Sequence, residues 1–155
     1  MKMRPIFAWL GLLVLLASLP IIVCGILFVE VLKPLFESPK AVGWMFIING
    51  GILLAGHIKL RREDKITFGQ TNLRRALTVG IAQSLALLPG ISRSGITITT
   101  GVFSGIDRKE AYRFSFLLFI PASVVAFLYS VLEASSTKYA FSFSMIIGAL
   151  ASALF

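Results

Sequence analysis

The chain has 155 residues, 57% of them hydrophobic, and a formal net charge of +8; its mean hydropathy is +0.89. Such apolar content lies far above that of soluble proteins and points to an all-α polytopic membrane protein whose size is counted in spans. The basic residues sit in short segments between apolar runs, which fits membrane orientation and argues against nucleic-acid binding, and the single cysteine, Cys24, excludes a disulfide framework or a thiolate metal site within the chain.

Met1-Lys2-Met3-Arg4 opens the chain as a basic segment, and an apolar run over residues 7–28 follows. That run exceeds the roughly 7–15 residues of a signal-peptide core and has no clear small-x-small cleavage site, so it is predicted to be a retained transmembrane helix, kinked at Pro20. Residues 31–40 are predicted to be a loop. Residues 41–57 are apolar and glycine-bearing, and at about 17 residues lie at the short end of a span. Residues 59–75 form a polar loop with Lys59, Arg61, Arg62, Lys65, Arg74 and Arg75 against Glu63 and Asp64. Residues 76–105 are apolar but interrupted, and residues 114–132 form a clean span containing Pro121. The last apolar segment, 141–155, stops with no basic flank, so the chain is expected to be a fragment of a longer protein.

The basic loop over 59–75 marks a cytoplasmic side, which puts the N-terminus inside and residues 31–40 outside. Arg108, Lys109 and Arg113 mark the connection after the interrupted segment as cytoplasmic too. Both flanks of that segment then lie on one side. Residues 76–106 are therefore predicted to enter the membrane and turn back at Pro89-Gly90 as a re-entrant helical hairpin. Each arm of about 13 to 15 residues would measure roughly 20 Å. A single spanning helix with a kink remains the alternative.

The turn carries the densest chemistry: Leu88-Pro89-Gly90-Ile91-Ser92-Arg93-Ser94-Gly95. Nothing else between Arg75 and Asp107 is ionised. An arginine at membrane depth costs about 2.5–3.5 kcal/mol on insertion scales, so such a residue is expected to have a partner, usually a substrate or an ion. Proline and two glycines predict non-helical backbone there, which is tolerated only facing protein or a water-filled cavity. A helix is expected from Ile96 to Gly105, and its unpaired N–H groups beside an arginine fork suit a phosphate. Ser92, Ser94 and Thr97 add hydroxyls, with Thr97 one turn after Arg93 on the same face, and Gly90 and Gly95 allow close approach of a ligand. Pairing of Arg93 with a backbone carbonyl or a neighbouring glutamate, for structure alone, is the competing reading.

The run from Gly80 to Thr97 resembles the second signature of the bacterial undecaprenyl-diphosphate phosphatases, the bacitracin-resistance family. The likeness continues through Glu110-Ala111-Tyr112-Arg113-Phe114-Ser115-Phe116-Leu117-Leu118 and Ile120-Pro121, and upstream through Leu19-Pro20 and Ile48-Asn49-Gly50-Gly51. The resemblance implies a membrane hydrolase that removes the terminal phosphate of undecaprenyl diphosphate and regenerates the lipid carrier for peptidoglycan and other envelope polymers, in the bacterial plasma (inner) membrane. It implies a fold of two inverted repeats, of which this chain would hold one half. Arg93 falls on the arginine that binds the diphosphate, Ser92 and Thr97 on residues lining that pocket, and Ser94, Gly90 and Gly95 within the same motif. A divalent cation, Mg2+ or Ca2+, is implied to assist.

One departure matters. The family's first signature, a glutamate-rich stretch with a Pro-Val-Ser-Ser-Thr-Gly-His run, is absent, and with it the acidic metal ligands, a serine nucleophile and a histidine. His57 does not match that histidine and is expected to be an interfacial residue. No metal ligands are assigned in this chain, and alone it is expected to be inactive because Ser92 or Ser94 could attack only beside a base. The expected partners are the polyprenyl diphosphate lipid and the bilayer, with a homodimer as an open alternative. Two other classes stay in view: a transporter or flippase of polyprenyl phosphate, since broken helices at the midplane also build carriers, and a structural subunit, since Ala76, Gly80 and Ser84 at four-residue spacing support close helix packing.

Overall fold

The computed structural model describes residues 3–59, 66–67, 71–136, 147–148 and 151–152. Its elements are helical: α1 (Met3–Glu37), α2 (Pro39–Lys59), α3 (Leu73–Ser84), a 3₁₀ turn (Leu85–Leu87), α4 (Arg93–Phe103) and α5 (Arg108–Ser136). Among the described residues three stretches, Ala8–Glu37, Pro39–Ile58 and Arg108–Leu132, are long and apolar enough to cross a membrane. The protein is thus an all-α polytopic membrane protein, as its composition predicts. It divides into two compact units, Met1–Ser123 and Val124–Phe155; the first holds every feature described below. The segment expected at 141–155 and the loop residues 60–65 and 68–70 lie largely or wholly outside the described residues.

The loop predicted over residues 31–40 does not form. α1 continues through it to Glu37, and only Ser38 separates α1 from α2. Two local effects account for this. Lys33, inside the predicted loop, pairs at 2.7 Å with Glu30 one helical turn back. Ser38-Pro39 then forms a compact helix start, with the Ser38 carbonyl accepting from Val42 N at 3.1 Å and proline at the first helical position, where its missing N–H costs nothing.

α3 and α4 form a helical hairpin with the 3₁₀ turn and Leu88–Ser92 at its tip. α3 starts at Leu73, three residues before the predicted boundary, because Asn72 caps it: Asn72 Oδ1 accepts from Arg75 N at 3.0 Å. At the other end of the hairpin α4 closes on Gly105, whose φ of 86° is the left-handed conformation that ends helices cheaply. The two ends of the hairpin are joined. Arg75 Nε donates to Ser104 O at 3.0 Å. Ile66 N donates to Gly105 O at 3.0 Å and Asp107 N to Ile66 O at 2.9 Å. Asp107 then starts α5 by accepting from Lys109 N at 2.9 Å.

Three helices enclose the hairpin in fixed register. α1 runs parallel to α3: a Cβ on Gly80 would collide with the Ala17 backbone, and one on Gly25 would reach Leu87. α2 runs parallel to α4, since Ser92 meets Asn49, Gly95 meets Leu53 and Gly56 meets Thr99. α5 runs antiparallel to α4, with Ala111 against Gly101, Ser115 against Thr97 and Leu118 against Arg93. The α4 sequence is rich in β-branched residues, which are weak helix formers; burial of Ile96, Thr97, Thr99 and Val102 between neighbours holds it helical. Leu13, Ala17, Ala76, Val79, Phe114 and Leu118 make the core beside it.

The α1–α3 contact depends on a hydrogen atom at position 80. Gly80→Leu is expected to push the helices apart and cost about 1–3 kcal/mol as overpacking, read as a lower unfolding midpoint in detergent. An unchanged midpoint would show that the backbones do not approach this closely.

Candidate functional site at the hairpin tip

The tip is built by backbone chemistry first. Leu88 N donates to Leu85 O at 3.1 Å and Ile91 N to Leu88 O at 3.3 Å, so the turn satisfies much of its own backbone. Gly90 has φ 89°, and a Cβ there would also press on Val42 O and Phe46 N of α2; the position requires glycine on both counts. Ser92 caps α4. Its Oγ accepts from Gly95 N at 3.1 Å, and its N–H donates to Asn49 Oδ1 at 2.9 Å.

Two expectations change here. Arg93, Ser94 and Gly95 are the first turn of α4 rather than irregular backbone, because the Ser92 cap starts the helix three residues before Ile96. Thr97 lies one turn from Arg93, as predicted, but does not face an open pocket. It is buried, its Oγ1 lies 2.9 Å from Arg93 O, and it meets Ser115 Oγ at 2.7 Å. Its hydroxyl therefore ties α4 to α5.

Arg93 reaches away from α2, into the angle between α3 and α5. Its Nη2 donates to Leu118 O at 2.6 Å and to Gln83 Oε1 at 3.3 Å, and its guanidinium lies 5.1 Å from the centre of the Phe119 ring. Pro121 lacks the N–H that would pair with Leu117 O, one carbonyl before the Leu118 O that Arg93 uses. The backbone-carbonyl pairing of the competing structural reading is thus present at Leu118 O, and because both acceptors are neutral the positive charge of Arg93 is oriented without being cancelled.

The other face of α4 lines a cavity of about 320 Å³ against α2 and the start of α5. Ser92, Ser94 and Gly95 lie at its tip end, while Thr99, His57, Arg108 and Tyr112 complete it toward the base. Arg108 stacks 5.7 Å from the Tyr112 ring centre. His57 shares this cavity with two serines, yet it is not a base for Ser92. Ser92 is paired with Asn49, and His57 stands eight residues farther along α2, roughly 12 Å away at 1.5 Å per residue.

The residues singled out from sequence therefore separate. Ser92, Ser94 and Gly95 border the cavity, Arg93 and Thr97 face α3 and α5, and Gly90 packs on α2. Sequence reasoning missed Gln83, Ser115 and Asn49, which hold the tip, and Arg108 and Tyr112, which line the cavity. Gln83 carried a usable signal, as an amide within an otherwise apolar stretch ten residues before Arg93. Among the described residues no group of three or more His, Cys, Asp or Glu could hold a metal ion. The implied divalent cation thus has no fitting ligand set among them.

Thr97→Val removes the α4–α5 hydroxyl pair and strands Ser115 in a buried position, with an expected cost of about 1–3 kcal/mol. The companion variant in which Ser115 is also made alanine should recover part of that loss in thermal unfolding. Equal losses for the single and double variants would deny the coupling.

The profile of a protein family described as Bacitracin resistance protein BacA matches residues 3–155. The chain is 40% identical over 146 residues to the undecaprenyl-diphosphatase of Desulfatibacillum aliphaticivorans, covering 94% of this chain and 52% of that protein. It is 36% identical to that of Methanothermobacter thermautotrophicus, covering 92% of this chain and 79% of the relative. With that of Halothermothrix orenii it shares 39% identity over 94% of this chain and 56% of the relative. The chain thus spans about half the length of most of these curated relatives.

Proposed function

The chain belongs to the BacA family of bacitracin resistance proteins, and on that premise we propose that it supplies the phosphate-holding part of a membrane hydrolase that removes the terminal phosphate of undecaprenyl diphosphate. The product, undecaprenyl phosphate, would serve again as lipid carrier for cell-wall synthesis, in the bacterial inner membrane. The observation that carries the reading is Arg93: a guanidinium fixed by neutral acceptors in the first turn of α4. Phosphoryl transfer asks a protein chiefly for positioning and for neutralisation of charge on the transferring group. Arg93 supplies a fixed positive charge, and the α4 N-terminus adds partly unpaired N–H groups of the same sign.

The placement of the site suits a lipid diphosphate. α4 has 11 residues, about 16 Å of helix, which is near half of a roughly 30 Å hydrocarbon core. Both ends of the hairpin meet beside Arg74, Arg75, Arg108 and Lys109, which favours a re-entrant hairpin anchored at a cytoplasmic face. The relatives above are named for diphosphate hydrolysis, which favours this reading over a carrier of polyprenyl phosphate. Assembly as a homodimer belongs to the same proposal.

The chain's own residues stop short of a full reaction. Ser92 Oγ serves as a helix cap, and no base stands beside it among the described residues. The chain alone is therefore expected to bind the lipid without releasing phosphate. Grafting onto it the part of the D. aliphaticivorans relative outside the match should give phosphate release from undecaprenyl diphosphate in detergent. Arg93→Ala in that chimera should lower kcat/KM at least about a hundredfold. A chimera that binds the lipid and releases nothing would instead favour the carrier reading.

A further inference from the structure

Gln83 is fully buried in α3, in a helix that otherwise packs with Ala76, Val79 and Gly80. Its Oε1 accepts from Arg93 Nη2. Its Nε2 is buried and has no hydrogen-bond partner among the described residues. For stability alone this is a poor choice, because a buried donor left unpaired is destabilising and an alkyl side chain of similar volume would avoid it. The amide earns its place only through its oxygen, and that oxygen touches Arg93.

The geometry around Arg93 says what the oxygen does. A guanidinium has five N–H donors in a rigid plane. Here Nη2 donates to two acceptors from different helices, Gln83 Oε1 on α3 and Leu118 O on α5, with Phe119 against its face. One acceptor would leave the plane free to swing about that bond; two acceptors and a ring face fix it. Nε and Nη1 have no hydrogen-bond partner among the described residues.

We propose that Gln83 is a positioning residue: with Leu118 O it holds Nη2 of Arg93 inside the protein, so that Nε and Nη1 are the donors presented to the phosphate oxygens of an anionic lipid. This rests on Arg93 being the phosphate-binding residue. Gln83 itself does not touch the ligand.

The test is a double-mutant cycle on the full chain in detergent, reading undecaprenyl diphosphate binding and thermal unfolding together. Gln83→Leu is expected to weaken binding about tenfold while its unfolding midpoint is unchanged or raised. In the Arg93→Ala background the same substitution should cause no further loss of binding. Gln83→Glu, which keeps the acceptor but adds a negative charge beside Arg93, should weaken binding at least as much with the fold intact, and it carries the test if the leucine variant fails to fold. Normal binding by Gln83→Leu and Gln83→Glu, with binding lost in Arg93→Ala, would overturn the positioning role and leave Arg93 as the ligand. Normal binding by Arg93→Ala would remove the reading on which the proposal rests.

Discussion

A permanently charged guanidinium must be satisfied in apolar surroundings, and the tip of the hairpin is organised around that requirement. Deprotonation is not available to arginine, so Arg93 has to find acceptors. It finds them on two other helices. Those acceptors can converge only if α3, α4 and α5 hold a fixed register. The Thr97–Ser115 hydroxyl pair, one turn along α4, sets that register from the side of α5.

The close packing follows from the same demand. Gln83 can reach Arg93 only if α3 folds back along α4, and α3 is held from behind by α1 at Gly80. On the opposite side α2 approaches α4 through Gly56 and Gly95, and Asn49 takes up the Ser92 N–H that a helix start would otherwise leave open. Backbone groups at the turn are thereby paired within protein, the condition under which a broken helix is tolerated inside a bilayer. The base is closed separately, by Arg75 on Ser104 O and by the bridge between Ile66 and Ile106, so that the hairpin is fixed at both ends.

Much of this was legible in the residues. Pro89-Gly90 announced the turn, because proline removes a donor and glycine permits the φ that the turn needs. Arg93 announced a polar site, because no other charge lies between Arg75 and Asp107. The 31–40 stretch misled for a physical reason: Lys33 pairs with Glu30 one turn back, just before the predicted loop, and Ser38-Pro39 is a helix start as readily as a turn. The direction taken by Arg93 was not legible. It depends on which α5 carbonyl comes opposite, and one helix position changes the facing direction by about 100°. Likewise His57 and Ser92 share a cavity, but only the pairing of Asn49 with Ser92 reveals that the imidazole is more than two turns distant.

The choice of partners for Arg93 bears on what the tip can bind. A carboxylate would satisfy the guanidinium more strongly than a carbonyl, since opposite charges about 4 Å apart attract by roughly 4 kcal/mol at an effective dielectric near 20. It would also cancel the charge, and an incoming anion would have to compete with it. A backbone carbonyl and an amide oxygen contribute dipoles that set direction while leaving the net charge in place. Glu110, the acidic residue in the first turn of α5, is turned instead to Arg113 at 2.7 Å, about two turns from Leu118 along the same helix. The tip thus holds a cation that the protein orients through neutral acceptors, with no acidic partner among the described residues.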